Sequence, residues 1–309
     1  MTLKTFANSR WRVFWLVIFF AFFVYFQHEE KEEYLENQNH VLKKHEEVFN
    51  DSIKTAFAMV DIAELATYRG EVYSKWESWG EIEGVSHLKT FIRDGFPVRN
   101  FLIFDSRGIQ KHTSFSAPAN PISITDRQYY LDIIGGDSKV FFGPYISKNT
   151  GIQSYSSVVK ILDYGGTFSG LLVTSMELSY FDVLCQSSLP GPKYSAGLFT
   201  SKGKVLTYCS KNETDLDLAN VDWDWKKVLI ARGISAAALE GLELKNQSVD
   251  LGNHLLVMHA VAGPQHTFTA MILDKEEATR EWIRHHYSEL GMMSLLALFG
   301  FFPWLRMRL

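Results

Sequence analysis

Cysteine is nearly absent: two, Cys185 and Cys209, in 309 residues. That excludes a disulfide-rich scaffold and leaves open whether the two pair in an oxidising compartment or stay as thiols. Metal-ligand spacing is missing too. His285 and His286 are adjacent and diverge on a helix, His254 and His259 fall on opposite faces of a strand, and His40 and His45 miss the i, i+4 step. No Gly-x-Ser-x-Gly elbow, P-loop or dinucleotide fingerprint occurs, so neither an enzyme nor a bound cofactor or metal is expected. Proline is absent from His28 to Trp79, and Gly70 is the only glycine there. Long apolar runs are absent everywhere except at the two ends.

Those ends are informative. Val13–Phe26 carries no charge, and Leu290–Leu305 is interrupted only by Ser294. Lys4, Arg10 and Arg12 precede the first run; Arg306 and Arg308 follow the second. Basic flanks mark the cytoplasmic side, so two transmembrane helices with both termini inside and the body outside are expected. Each run is short for a span, and the first reaches the needed length with Arg12 snorkelling to the headgroups. Gln27-His28-Glu29-Glu30-Lys31 offers no small-x-small cleavage site, which favours an uncleaved anchor over a signal peptide. Five of the 31 basic residues flank the spans, so the body sets 26 of them against all 35 acidic residues, a net charge of −9. Such a body has no electrostatic reason to seek nucleic acid or anionic lipid.

Between the ends the hydrophobic period changes. Leu35, Leu42, Phe49, Ala56 and Val60 recur at a drifting seven-residue step among charged residues, which predicts a long amphipathic stalk helix. Gln38 and His45 occupy the other seam, so a homodimer through the lower stalk is only weakly specified. From Val98 the period is two. Strands are predicted over Val98–Phe104, Ile109–Thr113, Val140–Ile146, Ile152–Leu162 and Phe168–Met176, with a short helix around Arg127–Ile134. This predicts an antiparallel sheet with its helices on one side. The outline repeats over Tyr194–Phe199, Lys204–Cys209, Leu242–Val249, His254–Val261 and His266–Leu273, with Trp223–Ala231 helical. The expected fold is α+β: two similar antiparallel-sheet modules on a long N-terminal stalk helix, between two transmembrane helices. The divisions are 1–27 (N-terminus and first span), 28–85 (stalk), 86–185 (membrane-distal module), 186–288 (membrane-proximal module) and 289–309 (second span and tail).

Ile124-Thr-Asp-Arg127-Gln-Tyr129-Tyr130, then Gly143-Pro144-Tyr145, Ser147 to Gly151, and Gly165-Gly-Thr-Phe168-Ser-Gly170 resemble the double Cache (tandem PAS-like) sensor domain found in front of bacterial diguanylate cyclases. The likeness spans about residues 30–288 and is most specific over 124–181. It implies a sensor in the bacterial inner membrane, its main body periplasmic, with a ligand pocket in the distal module and a relay through the proximal one. Such receptors continue after the second span into an output domain; here Arg306-Met-Arg-Leu309 follows, so a separate output partner, or a sensor half parted from its output, is expected.

In amino-acid-binding members an arginine and neighbouring aromatics hold the ligand carboxylate, and later acidic residues hold its amine. The resemblance places Arg127, Tyr129, Tyr130 and Tyr145 in the first set. Ser147 and Ser175 stand where the amine-binding acids belong. A guanidinium fork suits a carboxylate, whereas a buried ammonium with no carboxylate partner is poorly compensated. A short organic acid is therefore expected over an α-amino acid. Arg127 could instead pair with Asp126 or Asp132. Tyr129 and Tyr130 diverge by ~100° on a helix, so only one of them is expected to line a pocket. The facing of Tyr155 and Lys160 stays open. A competing expectation is a membrane-anchored scaffold that keeps the fold and binds no small ligand.

Overall fold

The computed structural model describes residues 3–73, 75–90, 92, 96–115, 121–148, 150–200, 205–211, 230, 247–261, 267–287 and 291–292. Helix α1 runs unbroken from Leu3 to Thr67, as the lack of proline allows. Its stripe does what the spacing predicts: Leu42, Phe49, Ile53, Ala56 and Val60 are fully buried. The period drifts, so Ile62 and Leu65 come out to solvent. Gln38 and His45, the polar seam positions, are used within the chain itself. Gln38 accepts the Tyr194 hydroxyl at 2.6 Å, and His45 Nδ1 bonds the Ser188 carbonyl at 3.1 Å. A π-helical turn, Tyr68–Val72, ends the helix, and a short 3-10 turn leads to α2 (Glu81–Lys89).

Among the described residues no helix is long and apolar enough to cross a membrane. The expectation of two spanning helices is therefore not met there. The first apolar run lies in α1, where Phe14, Val17, Phe20, Phe22 and Val24 are exposed. The second run, residues 290–305, lies outside the described residues apart from 291–292.

Strands β1 (Val98–Asp105), β2 (Gln110–Thr113), β3 (Lys139–Ile146), β4 (Gln153–Leu162) and β5 (Phe168–Glu177) form the first sheet. Its order is β2-β1-β5-β4-β3, antiparallel throughout. The pairing of β1 with β5 closes a chain separation that no local signal announces. Alternation assigns the two faces. Phe101, Ile103, Tyr155, Ile161, Leu172 and Met176 face α1 and α4 (Leu178–Ser188). Leu102, Phe104, Val158, Leu171 and Val173 face α3 (Gln128–Ile134). Helices thus cover both faces rather than one, because buried strands alternate apolar residues to either side.

Strands β6 (Tyr194–Thr200), β7 (Val205–Ser210), β8 (Gln247–Asp250), β9 (His254–Val261) and β10 (Thr267–Asp274) repeat the topology as β7-β6-β10-β9-β8. The helix predicted over Trp223–Ala231 lies outside the described residues except for residue 230. A closing helix occupies residues 275–287. α1 serves both sheets. Phe57 meets the rings of Phe141, Tyr155 and Phe181 with centroids 5.4–6.1 Å apart, which settles Tyr155 on the α1 face.

Polar locks fix the register of α1. Glu64 and Asp61 take Lys139 Nζ at 2.6 and 2.8 Å, and Glu64 also accepts Thr174 Oγ1 at 3.2 Å. Lower down, the fully buried Glu46 pairs with His259 Nδ1 and accepts Thr269 Oγ1 at 2.6 Å, while Asn50 donates to the same hydroxyl at 2.6 Å. Burial pushes the His259 pKa down. Cys185 of α4 and Cys209 of β7 form a disulfide, which decides the question their number left open.

Candidate functional site

The α3 face of the first sheet carries the candidates. Leu102 pairs with Val173 and Phe104 with Leu171 across β1 and β5. Ser175 lies two residues beyond Val173, on the same face, opposite Ser156 of β4. Strand β3 brings the aromatic. Phe142 pairs with Ser156 and Tyr145 with Ser154, so two residues of β3, Gly143 and Pro144, oppose the single Tyr155 of β4. This bulge absorbs one residue and turns Tyr145 to the same face as Phe142. Gly143 makes it fit: its φ is +145°, and a Cβ there would stand 2.6 Å from the Tyr155 ring and 2.9 Å from the Ser154 carbonyl.

These elements enclose a cavity of about 30 Å³ lined by Arg127, Tyr129, Tyr145, Ser147, Lys148 and Ser175, with apolar walls from Leu102, Phe104, Ile122, Ile124 and Val173. Five of the six ligand-site candidates from the sequence converge there. Tyr130 does not. The ~100° step on α3 sends its ring toward the β1–β2 turn, where its hydroxyl donates to the Ser106 carbonyl at 3.0 Å. Tyr129 goes inward, 5.2 Å from the Phe142 ring and 6.3 Å from that of Tyr145. Its burial, with Tyr145 nearby, raises its pKa well above the usual phenol value, so it enters as a neutral hydroxyl. Lys160 lies away from the cavity, over the Phe168 ring.

Among the described residues Arg127 forms no ion pair with a protein carboxylate. Its Nη2 donates to the Ile146 carbonyl at 3.3 Å, and its guanidinium stands 5.6 Å from the centre of the Tyr145 ring. Its expected rivals are engaged elsewhere: Asp132 accepts Gln128 Nε2 at 2.8 Å, and Asp126 holds Lys148 Nζ at 2.7 and 2.9 Å. The Lys148 ammonium keeps the Asp126 carboxyl below its ordinary range. Lys148 also donates to the Ser123 carbonyl at 2.9 Å, so it ties the turn after β3 to the loop before α3. On the cavity floor Tyr145, Ser156 and Ser175 form a hydroxyl chain, with links of 2.6 and 3.2 Å. Two members of this site escaped the sequence. Lys148 reads only as turn chemistry, and Ser156 becomes visible once β4 and β5 are in register.

The cavity has room for about two waters and is far below the ~300–1,000 Å³ of ligand pockets. A larger cleft of about 630 Å³ lies at the other end of the module, between Trp76, Trp79, Glu81, Lys111 and His112. Its lining lacks convergence: Asp105 there is already met by Arg107 at 3.3 Å and Lys111 at 3.5 Å. A groove of about 460 Å³ separates α1 from the closing helix near Glu33, His40 and His286. Among the described residues no three His, Cys, Asp or Glu side chains converge on a metal position.

No protein-family model matches the chain, and no curated protein does. Solved structures do. The extracellular domain of rpHK1S-Z16, described as a histidine kinase, is similar with a TM-score of 0.59 at 16% identity, covering 79% of this chain and 98% of that one. The ligand-binding domain of the Pseudomonas aeruginosa PAO1 amino acid chemoreceptor PctC, in complex with GABA, gives 0.54 at 14%, covering 77% and 100%. That of the Pseudomonas fluorescens chemoreceptor CtaA, in complex with L-isoleucine, gives 0.51 at 14%, covering 82% and 98%. At these identities the likeness is one of fold. The fold is that of extracellular sensor domains, as the resemblance implied.

Proposed function

We propose that this chain, built on the double Cache fold, is a membrane-anchored extracytoplasmic sensor that binds a small carboxylate-bearing ligand in the α3-side cavity and passes its state to a separate partner. One observation carries the reading: Arg127, Tyr129, Tyr145, Ser147 and Ser175 come from the loop before α3, α3, β3, the turn after it and β5 to one cavity, and among the described residues the guanidinium bonds a backbone carbonyl and pairs with no carboxylate. A buried site of that composition, with no acidic lining residue, suits a carboxylate better than an ammonium. Similar domains bind GABA and L-isoleucine; here Ser147 and Ser175 offer an amine no compensating charge, which favours an organic acid.

The exposed apolar side chains at the start of α1 support anchoring there. The relay has a physical route. β5, carrying Ser175, runs directly into α4, and the chain then reaches Lys193. Lys193 Nζ pairs with Glu281 of the closing helix and meets Tyr34 of α1 at 3.0 Å. A shift of β5 is thus felt by both helices that lead toward the apolar ends; a ligand drives it by binding the two arrangements unequally.

The small cavity favours one other reading, a scaffold that keeps the fold and binds no small molecule. Calorimetric melting of the full chain in lipid nanodiscs, against small carboxylates and amino acids, separates the two. A ligand at 100 times its Kd stabilises by about 2.7 kcal/mol. Stabilisation by a carboxylate that disappears in Arg127→Ala supports the sensor. Silence across the set with a well-folded chain supports the scaffold.

A further inference from the structure

Among the described residues Arg127 and Lys148 are the two cations lining the cavity, and no carboxylate lines it. A monocarboxylate bound by Arg127 would leave Lys148 on Asp126. The apolar walls between them, from Leu102, Phe104, Ile124 and Val173, suit a short carbon skeleton rather than a compact inorganic anion. The hydroxyl chain of Tyr145, Ser156 and Ser175 supplies neutral donors and acceptors on the floor. We propose that Lys148 is a second carboxylate anchor whose place Asp126 now fills, so that the ligand is a short dicarboxylate. This deepens the sensor reading and rests on it.

The geometry gives Asp126 a defined part. Its carboxylate meets Lys148 Nζ through both oxygens, at 2.7 and 2.9 Å, and is itself 63% exposed. A solvent-exposed ion pair of this kind contributes little stability and exchanges readily. The same pair ties the turn after β3 to the loop before α3, and on this reading their separation admits the ligand. One carboxylate of the ligand takes Arg127, which its planar fork fits. The other replaces Asp126 on Lys148, with no net loss of ion pairing. Binding and release of the latch are then one event, and the ligand acquires the differential contact that a two-state sensor needs.

The test is isothermal titration of the full chain in lipid nanodiscs with succinate, butyrate, glycine and inorganic phosphate. Succinate is expected to bind roughly 10–100-fold more tightly than butyrate, the range of one charge-assisted bond. Lys148→Met is expected to bring succinate down to the butyrate level, Lys148→Arg to restore most of the difference, and Asp126→Asn to tighten succinate by removing the competitor. Equal binding of succinate and butyrate, lost in Arg127→Ala but unmoved in Lys148→Met, overturns the second anchor and leaves the sensor standing. Tighter binding of phosphate overturns the dicarboxylate class. Absence of all binding by a folded chain removes the sensor reading itself.

Discussion

Replacing Cys185 and Cys209 together by alanine tests the tertiary structure most directly. The bond joins α4 to β7 across a sequence separation of 24. Loop closure in the unfolded chain then amounts to about 3.5 kcal/mol in the chain-entropy account. Both sulfurs are buried, Cys185 completely, so truncation adds a packing loss to that figure. Urea unfolding followed by tryptophan fluorescence, in detergent, measures the difference between the natural chain and the double variant. The bond is also shielded: reductant should attack the folded chain no faster than the chain opens. A stability loss below about 1 kcal/mol, for a bond closing a loop of this length, would refute the reasoning, and so would rapid reduction under native conditions. The bond also bears on place, since a buried disulfide of this kind belongs to an oxidising compartment such as the periplasm.

Lys139→Met leaves Glu64 buried with only Thr174 as partner, and a loss of about 3 kcal/mol is expected from breaking a buried pair on one side. Burial lowers the Lys139 pKa, but Glu64 and Asp61 outweigh it and the net shift is upward; the stabilisation is therefore full below about pH 10.4 and lost as pH rises through the raised value, a dependence the variant should lack in alkaline melts. Thr269→Val removes the donor to Glu46 and the acceptor for Asn50 and should cost about 1–3 kcal/mol in urea unfolding. Gly143→Ala drives a methyl into Tyr155 and the Ser154 carbonyl; melting should fall and carboxylate binding weaken, because the bulge that aims Tyr145 is displaced. At the closing helix, hydrogen bonding from Lys193 holds Glu281 below the ordinary carboxylate range. Its contribution is present above about pH 4.3 and lost as pH falls through the depressed value, so Lys193→Met should flatten the acid limb of the melting profile.

Much of this was legible in residue order. The stripe of Leu42, Phe49, Ala56 and Val60 has one buried outcome on a helix, and the period-two runs from Val98 on have one outcome as strands, so nine of the ten strands lie within a residue or two of the sequence expectation. Of the strand expected over Leu242–Val249, residues 242–246 lie outside the described residues, and the described part is β8. The site was half legible. Arg127, Tyr129, Tyr145, Ser147 and Ser175 are recoverable from the motif that carries the family resemblance, while the divergence of Tyr129 and Tyr130 on a helix predicts that one of them turns inward without saying which.

The sequence by itself determined the helical stalk, the strands and the acidic body, because each depends on a periodicity or a charge count that neighbouring residues share. Only the tertiary structure decided that β5 lies between β1 and β4, that Cys185 bonds Cys209, and that Lys148 pairs with Asp126. Those contacts join residues far apart in the chain, and what selects them is the complementarity of buried surfaces and charges once the sheet has formed. The bulge at Gly143 shows both sides at once. A glycine announces freedom in the sequence, but only the register against β4 shows that the freedom is spent on turning Tyr145 toward the cavity.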